Sequence, residues 1–244
     1  MSRPESSVRR TTAIGVVVPV HNEELLLGKS LAALGAAFAQ VAPQAAVCRT
    51  AIVLDACHDR SALVARQWMR RLGSKGGTHQ AMLVRCNGAN VGMARRAGCD
   101  ALLREWSAID PRNIWLATTD ADSEVPRDWL SVQLARHEEG FDIWTGRVTV
   151  LDWSIHTANT ALRWQEQYRC ESAPIHGTNF GLNGGIYLEA GGFPTLCTGE
   201  DRALYQAALA RGAVAHHDRL APVITSGRRE ARAPLGFAHA LTVI

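Results

Sequence analysis

The sequence predicts an α/β fold: a mostly parallel, doubly wound central sheet flanked by helices, with a smaller second lobe. Three observations carry this. Short apolar, β-branched runs recur at 13–18, 51–54, 81–84 and 114–117, each the length of a buried strand rather than a helix. Helical periodicity fills the intervals, which is the alternation of a parallel sheet with right-handed crossovers. Each run ends in polar residues, namely His21 and Asn22, Asp55, Asn90, and Asp120 with Asp122. These fall on one C-terminal sheet edge, where open α/β sheets bind ligands.

The elements follow in order. Ala13 to Val18 shows little alternation, so burial on both faces is expected, and Pro19, lacking a donor, ends the ladder. Asn22 can cap a helix whose positive end suits Glu23 and Glu24. Leu27, Leu31, Leu34 and Phe38 then recur at helical spacing. The second strand ends at Asp55, and Asp59 or Ser61 caps a helix with Val64 and Trp68 inward. After the third strand, residues 87–92 form a turn into an alanine-rich helix reaching Trp106. Beyond the fourth strand the pattern is less regular. It gives a helix at Trp129–Glu139, a strand at Asp142–Val150, a long helical segment from Asp152 to Cys170, two glycine-rich stretches, and a helix from Glu200 to Arg211. Gly212 is suited to a left-handed cap there. "AVAHH", "APVITS" and a basic tail close the chain. No linker divides the halves.

Composition narrows the class. A net charge of +3 in 244 residues is too small to imply nucleic acid. No apolar run reaches membrane-spanning length, and the polar, basic residues 1–12 read as a disordered arm rather than a signal peptide. The six cysteines lack zinc or redox spacing, so reduced thiols in a cytoplasmic protein are expected. The basic arm and tail allow at most peripheral membrane contact.

The organising stretch is "IWLATTDADSEVP", residues 114–126. Carboxylates at i and i+2 just past a buried strand leave the sheet at its ligand edge. Two hard oxygen donors so placed suit Mg²⁺ or Mn²⁺, which usually also holds substrate phosphates. A polar turn is the plainer account.

Six segments together resemble the family 2 glycosyltransferases of the GT-A fold. They are "VVVPVHNEE", "VLDACHDRS", "NVGMARRAG", "TTDADSEVPRDWL", "GTNFGLNGGIYLEAGGFP" and "GEDRAL", in that order from about Ala13 to Arg211. The resemblance implies a GT-A domain over 13–244, Rossmann-like, with a nucleotide-sugar-binding part (13–122) and an acceptor-side, catalytic part (123–244). It implies a nucleoside-diphosphate sugar donor, a divalent metal (Mg²⁺ or Mn²⁺), and a hydroxyl acceptor that is a sugar, lipid-linked or a small molecule. Pro19, His21 and Glu23 match the motif that lies along the nucleoside. Asp55 matches the carboxylate that reads the base, modestly favouring uridine. Arg95 matches an arginine near the nucleotide. Asp120 and Asp122 match the DxD motif, with Asp120 toward the ribose and Asp122 on the metal. Asp201 of the Glu200-Asp201 pair matches the general base of inverting members, and Glu200 is the alternative. Asp55, Asp122 and Asp201 are thus expected to converge on one cation and its diphosphate.

Departures matter. Asn183-Gly184-Gly185 stands where a basic pair often follows, so acceptor contacts differ. No Gln-x-x-Arg-Trp motif is present and little chain follows "GEDRAL", which points to a single-transfer enzyme of hexosyltransferase type without an added domain. Arg228 or Arg229 can assist the leaving phosphate. His216 and His217 point to opposite faces of a strand, and either completes the metal site or packs structurally. His176 belongs to the acceptor site or to a turn. Trp144, Trp153 and Trp164 read as core.

Overall fold

A computed structural model describes residues 11–41, 47–74, 77–150, 152–154, 156–171 and 173–228. Residues 1–10 of the expected arm and the tail beyond Arg228, Arg229 included, lie outside the described residues. Thr11 and Thr12 are inside them, and Thr12 already joins the sheet: its N–H donates to the Asn113 carbonyl and its carbonyl accepts from Val47.

Among the described residues, seven strands form one sheet: β1 (Ala13–Val20), β2 (Val47–Asp55), β3 (His79–Cys86), β4 (Ile114–Thr118), β5 (Ile143–Val150), β6 (Phe180–Asn183) and β7 (Ala215–Thr225). Their order is β3-β2-β1-β4-β6-β5-β7. The first four run parallel, as the strand–helix alternation predicts. β6 lies antiparallel between β4 and β5, and β7 pairs parallel to β5 at the far edge.

The helices are α1 (Leu27–Val41), α2 (Ser61–Gly73), α3 (Val91–Glu105), α4 (Trp129–Glu138), α5 (Ala158–Cys170), α6 (Gly184–Glu189) and α7 (Glu200–Ala210). Alternation along β1 splits the core in two. Ile14, Val16, Val18 and Val20 pack with Leu27, Leu31, Leu34 and Phe38 of α1 and Leu130 of α4. Ala13 and Val17 face the other way, against Ala94, Cys99 and Leu102 of α3 and on toward Leu204 of α7. Gly98 lets α3 sit directly on the sheet, because a Cβ there would lie 2.9 Å from Val53. Trp144 is core, as read; Trp153 and Trp164 instead form a small satellite with Val148 and Tyr168.

Four local expectations change. β1 does not stop at Pro19 but continues to Val20, with Pro19 paired to Val53. The Val17 carbonyl points toward β4 and accepts from Thr119. Two residues on, the missing N–H of Pro19 points the same way, past the last β1–β4 pair, Val17 with Thr118. Asn22 is not a helix cap. It sits at φ 54°, its side-chain oxygen accepts from His58 N, and α1 begins at Leu27. α5 begins at Ala158, capped by Thr157 accepting from Thr160 N, because Asp152 holds a separate turn by accepting from Ser154 N. The two closing apolar segments are one strand, β7, accommodated by a left-handed Ala221 and a register shift between Gly146 and Val148. Elsewhere Asn90 caps α3 by accepting from Met93 N, and Gly212 is left-handed after α7. Cys48, Cys57, Cys86, Cys99 and Cys197 are free thiols.

His79 has a consequence for stability. Its ring stacks on Phe38 at 3.8 Å and meets Trp68 edge-on, and Nε2 lies 2.9 Å from the Thr50 hydroxyl. Burial pushes its pKa down to about 4. Below the ordinary histidine range the unfolded chain binds a proton that the native chain refuses. Stability is therefore full above pH ~6.5 and falls toward pH ~4. Urea midpoints should show His79 costing about 2 kcal/mol between pH 7 and pH 5, and His79→Gln should flatten that difference.

Candidate active site

The polar edge is built from strand ends. His21 Nδ1 lies 2.7 Å from the Asp55 carbonyl, tying the first strand end to the second. Asp55, buried, accepts from Ala89 N and Asn90 N, one oxygen each, and so fixes the entry to α3. Both oxygens expected to read a base are engaged with backbone. Glu24 and Asp59 exchange with each other's loops, Asp59 accepting from Glu24 N and Glu24 from Arg60 N.

At the end of β4, Asp120 N donates to the Thr178 hydroxyl and the Asp120 carbonyl accepts from Ser30. The Asp120 carboxylate, a third exposed, accepts from Arg95 Nη2 at 2.6 Å. The other guanidinium nitrogen of Arg95 pairs with Glu200 at the start of α7. Arg95 and Glu200 are both almost fully buried. Arg95, expected near the nucleotide, is thus a buried tie between the β4 edge and α7. Gly177 makes room for it, since any Cβ there would sit on the guanidinium.

Asp201, one residue beyond Glu200, accepts from Gly177 N at 2.6 Å and from Arg202 N at 2.7 Å. A cavity of about 160 Å³ opens here, lined among others by Asp120, His176, Thr178, Cys197, Asp201 and Thr225. Burial holds His176 down to about pKa 4. Its Nε2 lies 3.0 Å from the Tyr168 hydroxyl, which in turn accepts from Val148 N. His176 therefore belongs to the cavity wall as well as to the turn at Gly177–Asn179.

Asp122 lies beside this cavity and not in its lining. Its carboxylate is buried and sits 2.6 Å from Arg228 Nη2. Arg228 Nη1 is 2.6 Å from Glu23 Oε1. Ser123 donates to Asp122 at 3.2 Å. Burial raises the Asp122 carboxyl to about pKa 6, against the pull of Arg228. Arg228 is brought here by an antiparallel bridge in which Glu124 and Ile224 exchange both backbone hydrogen bonds, at 2.8 and 3.0 Å.

These residues suit a divalent cation. Two carboxylate oxygens, from Asp122 and Glu23, already flank one positive group, and Mg²⁺ or Mn²⁺ needs few protein oxygens when phosphates complete its shell. Among the described residues no cluster of three His, Cys, Asp or Glu side chains forms a ready-made metal cage.

Of the three carboxylates expected to converge, Asp55, Asp122 and Asp201, only Asp201 lines this cavity. Asp120 and Asp201 share the cavity, Asp122 is next to it, and Asp55 serves the α3 loop outside the lining. Pro19 lies in β1, below that edge. Neither of the paired histidines joins the Asp122 edge. His217 bridges Thr145 and Tyr205, and His216 lies against Asp218 and Phe141. Asn183 caps α6, accepting from Gly185 N and Ile186 N. Sequence reasoning missed the Arg95–Glu200 tie and the Tyr168–His176 contact. The first joins residues 105 positions apart, and no local pattern signals it.

The family model for glycosyl transferase family 2 matches residues 15–190. The chain belongs to glycosyl transferase family 2. No curated protein is significantly similar to it in sequence. In structure it resembles S. aureus TarS 1–349 (TM-score 0.60, 12% identity, 88% of this chain and 61% of that one). It also resembles the Pyrobaculum calidifontis mannosyltransferase PcManGT in complex with GDP-Man and Mn²⁺ (0.59, 20%, 93% and 59%). A third is the Mycobacterium tuberculosis glucosyl-3-phosphoglycerate synthase in complex with Mn²⁺, UDP and phosphoglyceric acid (0.53, 17%, 99% and 81%). The family 2 chain thus has the GT-A fold, and it spans about three fifths of the length of the first two structures. No helix among its described residues is long and apolar enough to cross a membrane.

Arg95 gives a direct test. Arg95→Met leaves Glu200 buried without its cation and should cost roughly 3–5 kcal/mol in denaturant unfolding. Adding Glu200→Leu should restore most of the loss, because the unpaired charge goes with it.

Proposed function

We propose that this chain transfers a sugar from a nucleoside-diphosphate sugar to a hydroxyl acceptor, with inversion, one residue at a time and with a divalent cation. The observation that carries this reading is that Asp120 of the donor edge and Asp201 of α7 line one cavity. Family membership and the nucleotide and metal complexes of the structural neighbours support it.

The acceptor hydroxyl enters between these two carboxylates. Asp201 takes its proton as the oxygen attacks the anomeric carbon, and the bond from that carbon to the diphosphate breaks with its electrons leaving on the phosphate. Gly177 N and Arg202 N hold the Asp201 carboxylate in place, each through one oxygen, so lone pairs remain for the incoming proton. Glu200 is engaged by Arg95 in the buried pair, so Asp201 rather than Glu200 is the base. Asp122, with Glu23 beside it, would hold Mg²⁺ or Mn²⁺; when bound, the cation supplies Lewis-acid stabilisation of the leaving diphosphate. His21 and Pro19 form the floor on which the nucleoside lies.

Calorimetry with UDP, GDP, dTDP and CDP, with and without Mn²⁺, identifies the donor's nucleotide, and turnover with a panel of its sugar conjugates identifies the donor. With that donor, Asp201→Asn should lower kcat by about 10²–10⁴-fold while nucleotide affinity holds. Asp122→Ala should weaken nucleotide binding only when Mn²⁺ is present. Unchanged transfer in both variants would remove the assignment. Phosphate release through a trapped aspartyl-phosphate would identify a phosphohydrolase instead, and binding without turnover would identify an inactive nucleotide-binding module.

A further inference from the structure

The Arg228 guanidinium lies against Asp122, the carboxylate read above as the metal's. Its guanidinium spans Glu23 and Asp122, with both contacts at 2.6 Å. Both carboxylates are nearly buried, at 7% and 8% side-chain exposure. A planar fork held by two carboxylates is a bound cation in electrostatic terms. The Asp122 oxygen that faces Arg228 cannot face a metal as well.

We infer that Arg228 is a resident cation competing with the divalent metal for Asp122 and Glu23, so that metal loading requires the 226–228 segment to release them. The inference rests on Asp122 being the metal carboxylate, as read above. The segment can move without dismantling the sheet. β7 ends at Thr225, and the Glu124–Ile224 bridge lies on the sheet side of Arg228. Beyond that bridge, among the described residues, Arg228 is held by its two ion pairs, by the Ser226 hydroxyl accepting from its N–H at 3.3 Å, and by the neighbouring contact of the Gly227 carbonyl with His156. Once released, the guanidinium sits within reach of the edge where the diphosphate arrives, with its charge no longer neutralised. Metal-free protein is thereby kept from leaving the buried Asp122 carboxylate without a cation, which is the costly state.

The test uses the whole chain, stripped of metal. Mn²⁺ binding is measured by the loss of the free-Mn²⁺ paramagnetic resonance signal, with and without the donor diphosphate, on wild type, Arg228→Gln, Arg228→Lys and Asp122→Asn. If Arg228 holds the site in most metal-free molecules, Arg228→Gln should bind Mn²⁺ about tenfold or more tighter, because the competent fraction rises. Arg228→Lys, which keeps the charge but cannot fork across both carboxylates, should fall between. Arg228→Gln should also unfold at lower temperature without metal and gain more Tm from Mn²⁺ than wild type does. Equal or weaker Mn²⁺ binding by Arg228→Gln, with wild type binding normally, overturns the competition alone. Absence of Asp122-dependent Mn²⁺ binding in every protein, with diphosphate present, overturns the metal reading too.

Discussion

Two guanidinium groups hold this site together. Glu23, the Asp120–Asp122 loop and Glu200 come from three different places in the fold onto one edge, and left alone these acids would repel. At the effective dielectric of a protein surface, two unit charges 4 Å apart interact by about 4 kcal/mol. Arg95 joins Asp120 to Glu200, and Arg228 joins Asp122 to Glu23. Each arginine presents separate nitrogens to two carboxylates, which a lysine ammonium, as a point charge, does less well. The sheet therefore brings acids together, and the arginines make that proximity tolerable. One arginine comes from a helix face packed on the sheet, the other from beyond the last strand. Their difference in position is a difference in role: Arg95 is locked under Gly177, whereas Arg228 follows the end of β7.

The same edge is strained in its backbone. Asn22, Ala56 and Ala89 adopt φ of 54°, 46° and 45°, a region that non-glycine residues enter at a cost of roughly 1–3 kcal/mol. They follow the ends of β1, β2 and β3. Each is held by contacts that over-determine it. The Asn22 side chain accepts from His58 N, Ala56 N donates to the Cys86 carbonyl, and Ala89 N donates to Asp55. Asp55 is the hub, since its carboxylate fixes the third loop while its carbonyl meets His21. Asp55, expected to read a base, is the clamp that joins the ends of the first three strands.

The parallel half of the fold was legible because each strand is a short apolar run bounded by polar edge residues and followed by helical periodicity. The antiparallel insertion was not. β6 has four residues, Phe180–Asn183, buried throughout, too short to show alternation and lying within a glycine-rich stretch. Gly181 is there because Trp115 and Gln133 fill the space a side chain would need, a fact about distant residues. Asn22 and Asp152 misled for a different reason. Both are good capping residues, and both do accept a backbone N–H, but in loops rather than at helix starts. At the site, the Asp120-x-Asp122 and Glu200-Asp201 signals were visible locally. Which partner each carboxylate takes depends on Arg95 and Arg228, and long-range pairing leaves no mark on sequence spacing.

The Glu200-Asp201 pair illustrates how adjacent acids come to differ. Successive helical residues point about 100° apart, so only one of two neighbours can face a given direction. Glu200 turns inward, where it must be paired to be buried at all, and Arg95 is the partner. That pairing sets the rotation of α7 about its axis relative to β4. With Glu200 anchored, Asp201 lands against Gly177 N on the cavity wall. The buried acid thus aims its half-buried neighbour, and Asp201 owes its place on the cavity wall to the residue before it.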